Sequence, residues 1–185
     1  MNTRLERFLK PKGSNPPTTQ VEPSEHKEPL EAPKSLHEIF RAYGKASWLT
    51  QNNPALRSSF NIFNKSLHPD RPLAKGVTTI CLKGTTFEDK RENCLALTTA
   101  LTNLKANGEI QLVHEPSNPY DPNALAAVDE HNKIVGYIPK AKELNKTYLD
   151  AIQASRFCGA YIVDAKISNF QGKETAILNL AIGWK

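Results

Sequence analysis

Cysteine is scarce in this chain of 185 residues: Cys81, Cys94 and Cys158 are odd in number and far apart, and no Cys-x-x-Cys or neighbouring His pair accompanies them. Structural metal sites and disulfide frameworks need close, paired ligands, so the three read as small buried hydrophobes in a reducing compartment. Long apolar runs are missing as well. Met1 to Lys10 contains no apolar stretch of the secretory kind, and no later run approaches the length that spans a bilayer. These absences predict an intracellular, soluble protein without membrane association. A phosphate-binding loop is also lacking, because Lys83-Gly84-Thr85-Thr86 has neither the earlier glycine nor the Gly-Lys-Ser/Thr ending. No nucleotide-driven motor is expected.

Catalytic sets are equally thin. His26, His37, His68, His114 and His131 are scattered along the chain, whereas hydrolysis needs a nucleophile with its base, paired carboxylates or metal ligands at fixed spacing. Glu115 and Asp121 are close enough in sequence to hold a cation, but prolines separate them and no third ligand is in evidence. The sequence therefore predicts no catalytic residue, no metal and no cofactor.

What is present is a modest positive charge, +5 with a sequence pI of about 9.1, which allows attraction to nucleic acid or another anionic surface. A hydrophobic fraction of 39% supports one good core, or a small domain with an arm. Six of the 13 prolines fall between Pro11 and Pro33. Residues 1–34 are accordingly read as a disordered arm, poor in aliphatic side chains and unable to offset its ordering entropy. At its tip Leu5, Phe8 and Leu9 share one helical face among Arg4, Arg7 and Lys10, a run too short to fold without a partner. The spacing across residues 2–10 resembles a degenerate sliding-clamp-binding motif, with Asn2 in place of Gln and Leu9 in place of a second aromatic. The plainer alternative is a frayed, solvated terminus.

Residues 35–74 read as a helical extension and linker. Leu36, Ile39, Phe40 and Tyr43 recur at helical spacing behind a Ser35 N-cap, and a second patch runs from Trp48 and Leu49 through Leu56, Phe60, Ile62 and Phe63. That patch either packs on the domain or offers a site to another protein, packing being the commoner use of such stripes. From residue 75 to 185 the pattern predicts a strand at Val77 to Leu82 and a helix at Glu92 to Ala106 ended by Asn107-Gly108. Two strands then flank a polar loop, and a third follows at about Lys133 to Ile138. A helix over Lys140 to Ala154 leads to two long hairpin strands joined through Gln171-Gly172-Lys173. The fold class is mainly β with two packed helices, a small antiparallel barrel of OB-like or SH3-like form.

The polar loop organises the rest. His114-Glu115-Pro116-Ser117-Asn118-Pro119-Tyr120-Asp121-Pro122-Asn123-Ala124-Leu125 holds three prolines between apolar runs, so it continues neither strand nor helix and keeps its side chains in place at low entropic cost. Together with Val135-Gly136-Tyr137-Ile138-Pro139-Lys140, and with Lys83 to Arg91 upstream, it resembles the core motif of HIRAN domains, and the resemblance covers residues 75–185. It implies a pocket for single-stranded DNA or a DNA 3′ end, in replication or repair. Tyr120 is then a stacking wall, Asp121 the acceptor for the terminal hydroxyl and Asn118 a supporting polar contact. Phe87 stands where the family's first strand places an aromatic, and Tyr137 and Lys140 lie near the terminal phosphate. Lys90 and Arg91 either track phosphates or face water. A eukaryotic member carries Arg-Tyr-Tyr where this chain reads Thr86-Phe87-Glu88, one cation and one aromatic fewer. Without the resemblance, Asn118 and Asp121 are what a tight turn uses to bond its own backbone, and Tyr120 could simply cover the barrel. A reading of a different class is a protein-interaction adaptor that binds no nucleic acid.

Overall fold

The long C-terminal hairpin is the scaffold. In the computed structural model, which describes residues 54–141 and 144–185, β5 (Phe157–Phe170) and β6 (Lys173–Trp184) pair antiparallel along most of their length, with register shifts at Phe157/Gly159 and Ile162/Asp164. The hairpin reverses through Gln171 and Gly172, both at positive φ (51° and 78°), the geometry that matches the twist of the flanking strands. The amide of Gly172 is held by Asn169 Oδ1 at 2.9 Å. β1 (Gly76–Cys81) adds to the free edge of β6, giving the order β1-β6-β5.

Alternation along this sheet serves two cores. Ala160, Ile162, Ala165, Ala176, Leu178, Leu180 and Ile182 face the main one, while Cys158, Tyr161, Val163 and Ala181 face the other side. There α1 (Pro54–Leu67) lays down Leu56, Phe60 and Phe63. Phe63 meets the Tyr161 ring edge-on at 4.3 Å, and Phe60 approaches it at 5.2 Å. The aromatic patch thus packs on the sheet through these three residues, and Ile62 alone of its described apolar members is exposed. Gly183 makes the approach possible: a Cβ there would lie 2.3 Å from Phe60.

The second sheet is small. β2 (Gln111–His114), β3 (Leu125–Val128) and β4 (Ile134–Tyr137) form an antiparallel meander. α2 (Glu88–Thr102) covers the space between the sheets with Cys94, Leu97 and Leu101, and α3 (Leu144–Gln153) adds Tyr148 and Leu149. The class is as expected, mainly β and antiparallel, but with three helices among the described residues and no closed barrel. Isolated bridges at Lys83↔Tyr137 and Glu109↔Tyr161 join sheets that otherwise diverge, because strands of four residues are too short to wrap around.

Helix α2 begins and ends about four residues earlier than expected. Phe87 is extended (φ −66°, ψ 138°) and serves as its N-cap, with Glu88 and Asp89 in the first turn, where carboxylates favour the positive end of the helix dipole. At the other end Leu104 takes a left-handed conformation (φ 57°), and the Lys105 amide reaches Ala100 O at 2.8 Å, a Schellman stop without glycine. Leu104, expected on the apolar face, is 49% exposed. α3 also starts later than Lys140 and stops the same way at Ser155 (φ 53°), with Arg156 N bonded to Ala151 O.

Cys94 and Cys158 are buried and Cys81 is half-buried, all as free thiols. Cys94 Sγ donates to Val135 O at 2.8 Å, and burial pushes its thiol up to about 12. Among the described residues no three His, Cys, Asp or Glu side chains gather as metal ligands, and no helix is long and apolar enough to cross a membrane. The expected arm, its Leu5, Phe8 and Leu9 motif, the helix from Ser35, and Trp48 and Leu49 lie outside the described residues.

Candidate nucleic-acid groove

The polar loop is shaped by its own side chains. Asn118 Oδ1 accepts from the amides of Tyr120 (3.0 Å) and Asp121 (3.3 Å), and its Nδ2 donates to Glu115 Oε2 (3.1 Å). Glu115 N to Ala124 O closes the base of the loop at 2.9 Å, and His114 Nε2 lies 2.8 Å from Pro122 O. Asn118 therefore builds the turn. With its amide tied down, Tyr120 is turned outward and is 80% exposed. Lys140 Nζ reaches back across the loop to Tyr120 O at 2.5 Å.

The facing wall comes from the segment after β1. Lys83 and Tyr137 exchange both backbone hydrogen bonds, at 2.9 and 2.8 Å, which brings the two sheets to a seam. Gly84 turns away at φ 78°, and the Phe87 and Tyr137 rings lie so close over it that a Cβ would be 3.2 Å from one and 3.4 Å from the other. Phe87 is 57% exposed. Lys90 Nζ sits 5.8 Å from the Phe87 ring centroid and 5.4 Å from that of Tyr137, and pairs with Asp89 at 2.5 Å. An ammonium over two rings is attracted by their faces and stiffens them as platforms.

Between the walls runs a groove of about 480 Å³, with Ala124, Tyr137 and Ile138 in its lining. It gathers Phe87, Lys90, Asn118, Tyr120, Asp121, Tyr137 and Lys140 from the expected set. Arg91 is outside it, half-buried on α2 with its Nε enclosed and unpaired among the described residues. Phe87 is not on a strand, as expected, but at the start of a helix, because Gly84 ends the extended segment. Sequence reasoning missed two polar residues of the lining, Lys83 and Asn145. Asn145 was detectable as a polar residue on the apolar stripe of α3, in step with Tyr148, Leu149 and Ile152.

The electrostatics divide the groove. Lys83 and Lys90 put cations on the Phe87 wall, and Lys140 puts one on the loop wall beside Asp121. Asp121, only 8% exposed, is the acid. Its carboxylate accepts Asn145 Nδ2 at 2.7 Å and the Asn123 amide at 2.9 Å. Those donors, the Asn145 amide first, hold the carboxyl below its usual range against the opposing effect of burial. Burial, then the neighbouring Glu115, pushes the Tyr137 hydroxyl up to about 12, so that ring is neutral. Exposed rings, ammonium groups and one shielded carboxylate suit the stacking and hydrogen bonding of a polyanion carrying hydroxyls.

A family model described as HIRAN domain matches residues 84–168. Over these residues the chain is similar to a HIRAN domain. HIRAN domains are generally DNA-binding modules, binding rather than catalytic. The match spans both walls of the groove and the first half of the long hairpin, somewhat less than half of the chain. No curated protein matches. One solved structure, a crystal structure of a protein from Lactobacillus plantarum, is similar over 57% of this chain and 91% of its own at 18% identity, with a TM-score of 0.31.

Proposed function

We propose that the groove of this HIRAN-like domain takes the 3′ end of a single DNA strand and serves in replication or repair by marking or delivering that end. The observation that carries the reading is the pairing of two exposed rings, Tyr120 and Phe87, across a groove lined by three lysines and a single buried carboxylate. Terminal bases stack on the rings without regard to sequence. Lys83 and Lys140 meet phosphates, and Asp121 accepts from the terminal hydroxyl. A carboxylate that accepts from a hydroxyl repels a phosphate, so a free 3′-OH is preferred to a 3′-phosphate or a continuing strand.

The test is fluorescence anisotropy of a labelled single strand ending in 3′-OH, against the same strand ending in 3′-phosphate, with wild type and Asp121→Ala. A hydroxyl preference that disappears in the variant is the expected result. Equal, salt-labile binding of both strands would reduce the groove to a basic surface. The adaptor reading loses support where its aromatic patch is described, since Leu56, Phe60 and Phe63 are spent on packing. Leu5, Phe8 and Leu9 are a proposed docking peptide for a sliding clamp or another replication protein. Titrating a peptide of residues 1–12 with such a partner tests it, and loss of binding in Phe8→Ala is expected.

A further inference from the structure

Asn145 comes to the groove from α3, 24 residues along the chain from Asp121, and is 4% exposed. Only one end of its amide is used. Nδ2 donates to Asp121 Oδ2 at 2.7 Å, while Oδ1 is enclosed and unpaired among the described residues. A buried amide with an orphaned oxygen is poor packing, and an apolar residue would fill the stripe beside Tyr148 and Leu149 without leaving an unpaired oxygen. The hydrogen bond it does make touches the one acid of the groove.

The donor is also neutral. An arginine or lysine at this place would hold the carboxylate as well, but would cancel its charge. Lys140, from the segment after β4, and His114, at the end of β2, act on Asp121 from a distance, and Lys146 borders the adjoining cavity of about 160 Å³. None of these groups hydrogen-bonds the carboxylate. We propose that Asn145 is the positioning residue that sets end selectivity in the groove: its amide orients Asp121 without placing a positive charge on the carboxylate, so the site takes a hydroxyl donor and refuses a phosphate.

This inference rests on the end-recognition reading above, and the experiment separates the two. The full chain carrying Asn145→Leu or Asn145→Lys is titrated with the 3′-OH and 3′-phosphate strands between pH 5 and pH 8, beside wild type and Asp121→Ala. In N145L the carboxyl loses its first donor while burial still acts on it, so it takes up a proton at a higher pH. The hydroxyl-over-phosphate ratio then falls towards the acid end of the range, where wild type keeps its preference, and recovers towards pH 8. In N145K the ratio falls at every pH, because the ammonium accepts the phosphate. A thermal transition checks that each variant folds, and either variant alone carries the test. Equal weakening of both strands across the pH range, or an unchanged ratio in both variants, overturns the role of Asn145 while leaving that of Asp121 standing. A wild type that binds the two strands alike overturns both readings.

Discussion

In the proposed function, strand binding turns on Tyr120 and Phe87, the two exposed rings of the groove. Truncating a stacked ring removes about 1–3 kcal/mol per base, so Tyr120→Ala and Phe87→Ala should each weaken a short single strand by roughly 5- to 150-fold in anisotropy titrations, with little change in melting temperature, since both rings are exposed. Asp121 carries a second prediction, about acid stability. Its folded-state carboxyl lies below the ordinary value of about 3.9. The group therefore adds stability that is fully present above the ordinary value and is lost as pH falls through the lower folded one. Asp121→Asn should flatten the decline in denaturation midpoint below about pH 4, and an unchanged decline would show that another carboxylate dominates.

At the scale of elements, the strands could be placed in the sequence and the helix ends could not. The length and alternation of the long hairpin and the short apolar runs of β2 to β4 put these strands within about two residues of their places, because apolar and β-branched runs bounded by turn residues mark a strand even where both faces are buried. The ends of α2 and α3 escaped because both close on non-glycine residues, Leu104 and Ser155, in a conformation that side chains rarely adopt. Leu104→Gly should therefore stabilise the protein by about 0.5–1 kcal/mol, read as a higher denaturation midpoint, since an exposed leucine gives up little packing. Gly183→Ala should act in the opposite sense. Its new methyl would strike Phe60 in the second core, and overpacking of this kind costs about 1–3 kcal/mol.

For the whole molecule, the groove exists because the two sheets touch without merging. The pairing of Lys83 with Tyr137 is a single bridge, and the chains that part on either side of it leave the space that the aromatic walls line. Three lysines face that space. Displacing counterions from a single strand gives a slope of about −0.7 per phosphate neutralised, so the logarithm of affinity should fall against that of salt with a slope of about −2. Lys83→Ala and Lys140→Ala should each make it shallower by just under one unit, about 0.7. A slope untouched by either change would place the strand elsewhere on the surface.

The amino-acid sequence by itself determined the elements that depend on neighbours in the chain: the apolar strands, the Gln171-Gly172 reversal, the proline-stiffened loop with Asn118 as its brace, and most of the side chains that line the groove. These rest on local sterics and local hydrogen bonds, which are written residue by residue. Tertiary structure decided what depends on residues brought from afar. It set Arg91 aside from the groove, moved Phe87 from a strand to a helix start, gave Lys83 its place at the seam, and brought Asn145 to the carboxylate of Asp121. Which of several possible neighbours a side chain meets is fixed only when the sheets and helices pack together.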